Sequence, residues 1–154
     1  MILGGEMIRE LGIITPCQKR TVFEGVTYGL GPAGYDLRVE FDGGGIRSCL
    51  TLEPGEFSLA STVELFRMPK DVLGMVHDKS TWARVGLAVQ NTVIEPGWRG
   101  HLTLELTNHS KETLLIRRNI AIAQVVFHQV LGTMEYDGKY QDQERGPVKG
   151  KFHE

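Results

Sequence analysis

Short stretches of strict apolar/polar alternation dominate the chain. In HLTLELTN, Leu102, Leu104 and Leu106 fall on one side of an extended segment and Thr103, Glu105 and Thr107 on the other. This is the period-two pattern of a strand with one face in a core. GPAGYDLRVEF does the same, with Tyr35, Leu37 and Val39 sharing a face. CLTLEPGEFSLAS predicts strand, Pro-Gly turn, strand, and DVLGMVH, TLLIR and AIAQVVFHQV predict further strands, the last two joined by the short polar turn RRN. The triple glycine in FDGGGIRS predicts a hairpin turn. GEMIRELGI, apolar at Met7, Ile8 and Leu11, predicts a short N-terminal helix. Roughly eight to ten short strands, about 8–12 residues apart, imply a β-sandwich or barrel.

The alternation stops near residue 135. YDGKYQDQERGPVKGKFHE is polar, contains Gly and Pro, and mixes acids with bases. Its composition predicts a flexible arm over 136–154 attached to a domain spanning 1–135.

Composition narrows the classes. At 154 residues the chain fits one domain with a sizeable core. A net charge of -2 argues against a general polyanion binder, so no nucleic-acid partner is expected. Apolar runs such as AIAQVVF are too short to span a membrane, and no membrane partner is expected. MILGGEMIREL carries acids where a secretory signal needs bases, which points to the cytoplasm. Cys17 and Cys49 form neither a disulfide framework nor a metal pattern and read as two reduced thiols.

MVHDKSTWARVG breaks the alternation. Lys79, Ser80, Thr81 and Arg84 crowd together between two strands, and one helical turn would place Ser80 and Arg84 on the same face. An ammonium, two hydroxyls and free backbone N–H groups at a helix start can hold an anion such as a phosphate. The same residues equally describe a capped helix with a surface lysine.

A second constellation is NTVIEPGWRGHLTLELTN. Glu95-Pro96-Gly97-Trp98 predicts a turn carrying a carboxylate and an aromatic, and Glu105 follows on the strand face shared with Thr103 and Thr107. Facing solvent, Glu105 is an ordinary strand residue. In a cleft or an oligomer interface it is a partly desolvated carboxylate with a raised pKa, suited to moving protons.

Together the two segments, HDKSTWARVGLAVQNTVIEPGWRGHLTLELTNHS, closely resemble the dCTP deaminases of the trimeric dUTPase-like superfamily. That family carries a Lys/Arg-Ser-Ser/Thr-x-x-Arg-x-Gly block, an acidic-Pro-x-Trp/Phe-x-Gly turn and a strand ending in Leu-Glu. GPAGYDLRV, LEPGEFSLASTVELFRMP, IAIAQVVF and YDGKYQDQERGP are similar to further family segments in the same order, so the resemblance covers most of residues 31–147. It implies a mainly β fold, a distorted β-barrel or jelly roll of the dUTPase-like type with short helices, assembled as a homotrimer with sites where subunits meet. It implies deamination of dCTP to dUTP and ammonia, with dUTP and dTTP as further candidate ligands.

The resemblance also implies roles. Glu105 matches the family's general base, and Ser80 and Arg84 the groups that position water and steady charge. Lys79, Ser80 and Thr81 fall in the triphosphate segment. Glu95 matches an acid, commonly Asp, that contacts the deoxyribose 3′-hydroxyl. Trp98 matches the aromatic packed near the sugar, and reads equally as a turn residue filling the barrel mouth. Lys139 and Gln143 match arm residues that close over the triphosphate, and Tyr136 the arm tyrosine. Asn91 lies near a base-orienting backbone segment and is given no role. Mg2+ is expected to arrive on the nucleotide triphosphate without a dedicated carboxylate cage.

Zinc is not expected. Zinc-dependent nucleobase deaminases need His-x-Glu and Pro-Cys-x-x-Cys, whereas PCQK lacks the second cysteine and no His is followed two residues later by Glu. Three other activities stay open: a bifunctional enzyme releasing dUMP, a dUTP diphosphatase, and a non-catalytic nucleotide-binding regulatory trimer. Against the diphosphatase, TVIEPGW has Glu95 and no tyrosine where dUTPases carry Gly-x-Ile-Asp-x-x-Tyr. Several features depart from the family: the GPVKGKFHE tail, the triple glycine at 43–45 and the short segment between Arg84 and Glu95.

Overall fold

The computed structural model describes residues 1–90, 92–132 and 134–152. Among these the order is α1 (Gly5–Glu10), β1 (Ile14–Thr15), β2 (Thr21–Phe23), β3 (Val26–Gly31), β4 (Gly34–Glu40), β5 (Cys49–Leu52), β6 (Phe57–Arg67), β7 (Val72–Asp78), α2 (Ser80–Ala83), β8 (Leu87–Val89), β9 (Val93–Ile94), β10 (Arg99–Asn108), β11 (Leu114–Arg117) and β12 (Ala121–Gln129). No helix of the described residues is long and apolar enough to cross a membrane.

One antiparallel sheet runs β8-β10-β6-β4-β12-β7-β9, with β1 on β6 and β2-β3 on β4. The sheet curls because β4 changes partners along one edge. Asp36 pairs with Gly29 of β3, and three residues on Val39 pairs with Thr62 of β6. The opposite edge of β4 pairs with β12. Alternation explains the core: Tyr35, Leu37 and Val39 on β4 and Leu104 and Leu106 on β10 are all buried. They meet Phe66, Val125 and Phe127 from β6 and β12.

Two local expectations change. FDGGGIRS is not a hairpin turn, because β5 leaves the main sheet and pairs with β11, Leu50 facing Ile116 and Leu52 facing Leu114. Gly43 and Gly44, at φ 71° and 97°, instead wrap the Glu40 carboxylate, which accepts both their N–H groups at 2.9 Å. Helix α1 forms, but only Ile8 of its apolar residues is buried, while Met7 and Leu11 are exposed.

Among the described residues, the segment from Tyr136 to Phe152 contains no regular strand, and it lies against the barrel. Asp142 N–H donates to Arg99 O and His101 N–H to Gln143 O, both at 2.9 Å. These bonds frame a parallel bridge between Gly100 and Gln143. Gly100 is required there, since a Cβ on it would stand 2.7 Å from Gln143 N.

Candidate active site

Sequence places Glu105 on an alternating strand, and the structure decides which environment it meets. Strand β10 is flanked by β6, with Glu105 opposite Leu59, and by β8, with Gln90 N–H donating to Glu105 O at 2.9 Å. Its side chain enters a cavity of about 440 Å³ whose walls include Phe57, Leu59, Ile94 and Leu102. The carboxylate is half-buried, and its Oε2 is shielded from solvent with no hydrogen-bond partner among the described residues. Burial disfavours the charged form and pushes the Glu105 pKa above the ordinary glutamate value. Of its two open readings, the cleft is the one realised.

The turn before β10 shapes the same cavity. Trp98 N–H donates to Glu95 O at 3.1 Å, and Gly97 sits at φ 78° between them. Proline at the second position and a positive-φ glycine at the third make this a type II turn. It leaves Glu95 exposed at the cavity and turns Trp98 inward, 5% exposed, with its ring 6.2 Å from that of Phe66. The indole Nε1–H donates to Tyr140 O at 2.7 Å. Trp98 therefore both lines the cavity and anchors the arm.

Tyr136 and Gln143 also reach this cavity, as do Tyr140 and Val148, which sequence reasoning left without a role. Tyr140 was within reach, being the tyrosine of the arm's Lys-Tyr motif. Val148 was not, because only the folded path of the arm brings it there. Thr103 was seen only as a neighbour on the strand face, yet its buried hydroxyl accepts from Gln143 Nε2 at 2.6 Å and Val148 N at 3.0 Å.

The remaining candidates lie elsewhere. Helix α2 is held at both ends: Asp78 Oδ1 accepts Val89 N–H at 2.7 Å, and Gly86, at φ 93°, packs where a Cβ would meet Ser110 at 2.6 Å. Ser80, Thr81 and Arg84 are exposed on it and do not line the Glu105 cavity. Neither hydroxyl caps the helix, whose N-cap is Lys79 without a side-chain bond. Lys79 points inward, 8% exposed, with Nζ 2.5 Å from Asp36 Oδ2 and 3.2 Å from Thr27 Oγ1. Lys139 is exposed in the arm, its ammonium donating to Lys151 O. Asn91 lies outside the described residues. Cys17 and Cys49 are free, half-buried thiols. Among the described residues no group of three or more His, Cys, Asp or Glu is placed to hold a metal ion.

A curled antiparallel sheet with an apolar, carboxylate-bearing cleft beneath a C-terminal segment defines a dUTPase-like fold. Solved structures agree. A 2′-deoxycytidine 5′-triphosphate deaminase from Agrobacterium tumefaciens superposes at TM-score 0.65 and 20% identity, covering 83% of this chain and 47% of that one. The EIAV dUTPase superposes at TM-score 0.59 and 19% identity, covering 82% and 95%. The family model described as dCTP deaminase-like matches residues 45–130. A dCTP deaminase of Campylobacter fetus is 38% identical over 89% of this chain and 91% of its own length, and one of Acidobacterium capsulatum 35% identical over 86% and 88%. The chain belongs to the dCTP deaminase family.

Proposed function

We propose that the protein hydrolytically deaminates dCTP to dUTP and ammonia. The observation that carries this reading is Glu105, a half-buried carboxylate with one buried oxygen that has no partner among the described residues, in a mainly apolar cleft of about 440 Å³. Such a group takes a proton near neutral pH more readily than a solvated glutamate does. Glu105 removes a proton from water as the water oxygen bonds to C4 of the cytosine. The electron pair of the C4–N3 double bond moves onto N3, which takes up that proton, and the adduct's hydroxyl proton passes to Glu105 as the C4 carbonyl forms. The amine leaves as ammonia after receiving the proton that Glu105 holds. Glu95, at the cavity edge, takes the deoxyribose 3′-hydroxyl against the Trp98 ring.

The working unit in this reading is a homotrimer. Ser80, Thr81 and Arg84 sit exposed on a rigid turn outside their own subunit's Glu105 cavity. The turn of one subunit supplies the neighbour's site with hydroxyls for the triphosphate and with Ser80 and Arg84 for the water and the developing charge. The arm, residues 136–154, closes the site with Tyr136, Lys139 and Gln143. Mg2+ enters on the triphosphate oxygens and neutralises them.

The fold shared with dUTPases makes a second product pattern worth testing, in which the same site also releases pyrophosphate and yields dUMP. The protein is incubated with dCTP or dUTP plus Mg2+, and ammonia, dUTP, dUMP and pyrophosphate are resolved. Ammonia and dUTP in equal amounts are expected from dCTP. Pyrophosphate with dUMP indicates the bifunctional reading, and no turnover of either nucleotide rejects both.

A further inference from the structure

We infer that Thr103 is a positioning residue: its hydroxyl latches the C-terminal arm over the cavity and thereby fixes the surroundings of Glu105. The inference rests on the deaminase reading for its catalytic consequence, but its geometry stands apart from it. Thr103 is 8% exposed and lies two positions before Glu105 on β10, and both side chains line the same cavity. Its Oγ1 accepts one bond from a side chain of the arm, Gln143 Nε2, and one from its backbone, Val148 N. The two donors are five residues apart, so a single hydroxyl pins a loop of the arm at both ends. That loop carries the Val148 side chain to the cavity wall.

The neighbouring attachments show why this point matters. Upstream, Asp142 and Gln143 are bonded to the backbone of Arg99 and His101, at the start of β10. Downstream, Gly146 N donates to Ser61 Oγ at a long 3.3 Å, and Arg145 Nε lies 3.6 Å from Glu40 Oε2. Beyond both, the Val148 end of the loop is held at the Glu105 cavity by Thr103. Losing the latch leaves the arm tethered at Trp98 and Arg99 while the segment that carries Val148 swings free of the cavity. Water then reaches the carboxylate, and its desolvation is relieved. Among the described residues, the other titratable side chains lining the cavity are Glu95, from the turn after β9, and Tyr136 and Tyr140, from the arm itself; β6 contributes Phe57 and Leu59.

The test uses the full chain with Thr103→Val, which keeps the shape and removes the acceptor, and Thr103→Ser, which keeps it. Trypsin cleavage at Lys139, Arg145 and Lys149 is timed without nucleotide. Two neutral hydrogen bonds are lost, so Thr103→Val should open the arm roughly 10- to 100-fold more often, and Thr103→Ser should restore most of the protection. Carbon NMR of glutamate carboxyls should show the Glu105 titration moving down toward the ordinary glutamate range in Thr103→Val alone. With dCTP and Mg2+, kcat should fall by more than KM rises. Arm protection identical in Thr103→Val and wild type overturns the latch. A loosened arm with an unmoved Glu105 titration overturns the coupling. Both readouts need no turnover, so a wild type inactive on dCTP rejects the deaminase reading without touching them. Should Thr103→Val not fold, Gln143→Leu removes one donor from the arm side, and its expected loosening of about threefold to tenfold decides the same point.

Discussion

Lys79 Nζ lies 2.5 Å from Asp36 Oδ2, so the first residue of the Lys-Ser-Thr cluster is turned into the barrel while the next two face out. The pair joins the start of α2 to β4, and Thr27 on β3 adds a second contact to the ammonium. Removing one partner of a buried pair leaves the other charge uncompensated, which costs more than the pair itself contributes. Lys79→Met should therefore destabilise the fold by about 3 kcal/mol. Asp36→Asn combined with Lys79→Met should recover more than half of that loss in chemical denaturation. A Lys79→Met protein that unfolds like wild type and only binds triphosphate less well would place the ammonium outside in solution.

Asn108 closes the far end of β10. It is fully buried, its Nδ2 donating to Leu52 O and Glu112 O and its Oδ1 accepting from Ser110 N and Oγ. Asn108→Asp replaces the donor with a carboxylate oxygen facing two carbonyls. The expected loss is about 3 kcal/mol or more, a fall of roughly 6–12 °C in Tm for a chain of this size. Calorimetry reads it directly. A change under about 1 °C would mean that the side chain relaxes out of its network.

The strands were legible because their pattern needs only the chain itself. Leu102, Leu104 and Leu106 alternate in the sequence and are buried in the fold. Pairing was less so: β5 looked like the partner of a neighbouring strand, and the Gly43–Gly44 wrap around Glu40 sent it to β11 instead. The Glu95 turn could be read because Pro-Gly fixes its own backbone. The environment of Glu105 could not, since alternation says which face a side chain takes and not what covers that face. Here the cover comes from a polar arm whose contacts with Trp98 and Thr103 are set by tertiary structure. The inward turn of Lys79 was hidden for the same reason, its partner lying far back in the sequence at Asp36.

Truncation after Glu135 should leave the barrel folded, because its core strands lie before that point. It removes the carbonyl that accepts the Trp98 indole N–H and uncovers the ring. In a Trp82→Phe background, the remaining Trp98 fluorescence should shift to the red. Deamination should fall by about 10²-fold, as expected when a positioning element that excludes water is lost. Retained activity would make the arm a passive tail.

Glu105→Gln separates the chemical role of the carboxylate from its place in the fold. Gln keeps the shape and hydrogen-bonding capacity but can neither take a proton from water nor pass one to the departing amine. Loss of a positioned base should cost about 10²–10⁴-fold in the single-turnover rate with dCTP. Stability should move the other way. Burial raises the folded-state pKa of Glu105 above its unfolded value of about 4.3. The stability this group contributes is therefore complete below that unfolded value, and is lost as pH rises through the raised folded value. Gln carries no such titration, so the Tm of the variant relative to wild type should climb across that window and level off above it. A solvated strand glutamate would give a flat difference and unchanged turnover. Deamination by the variant within about threefold of wild type would remove Glu105 from the role of base, and a flat Tm difference across the window would place its carboxylate in water.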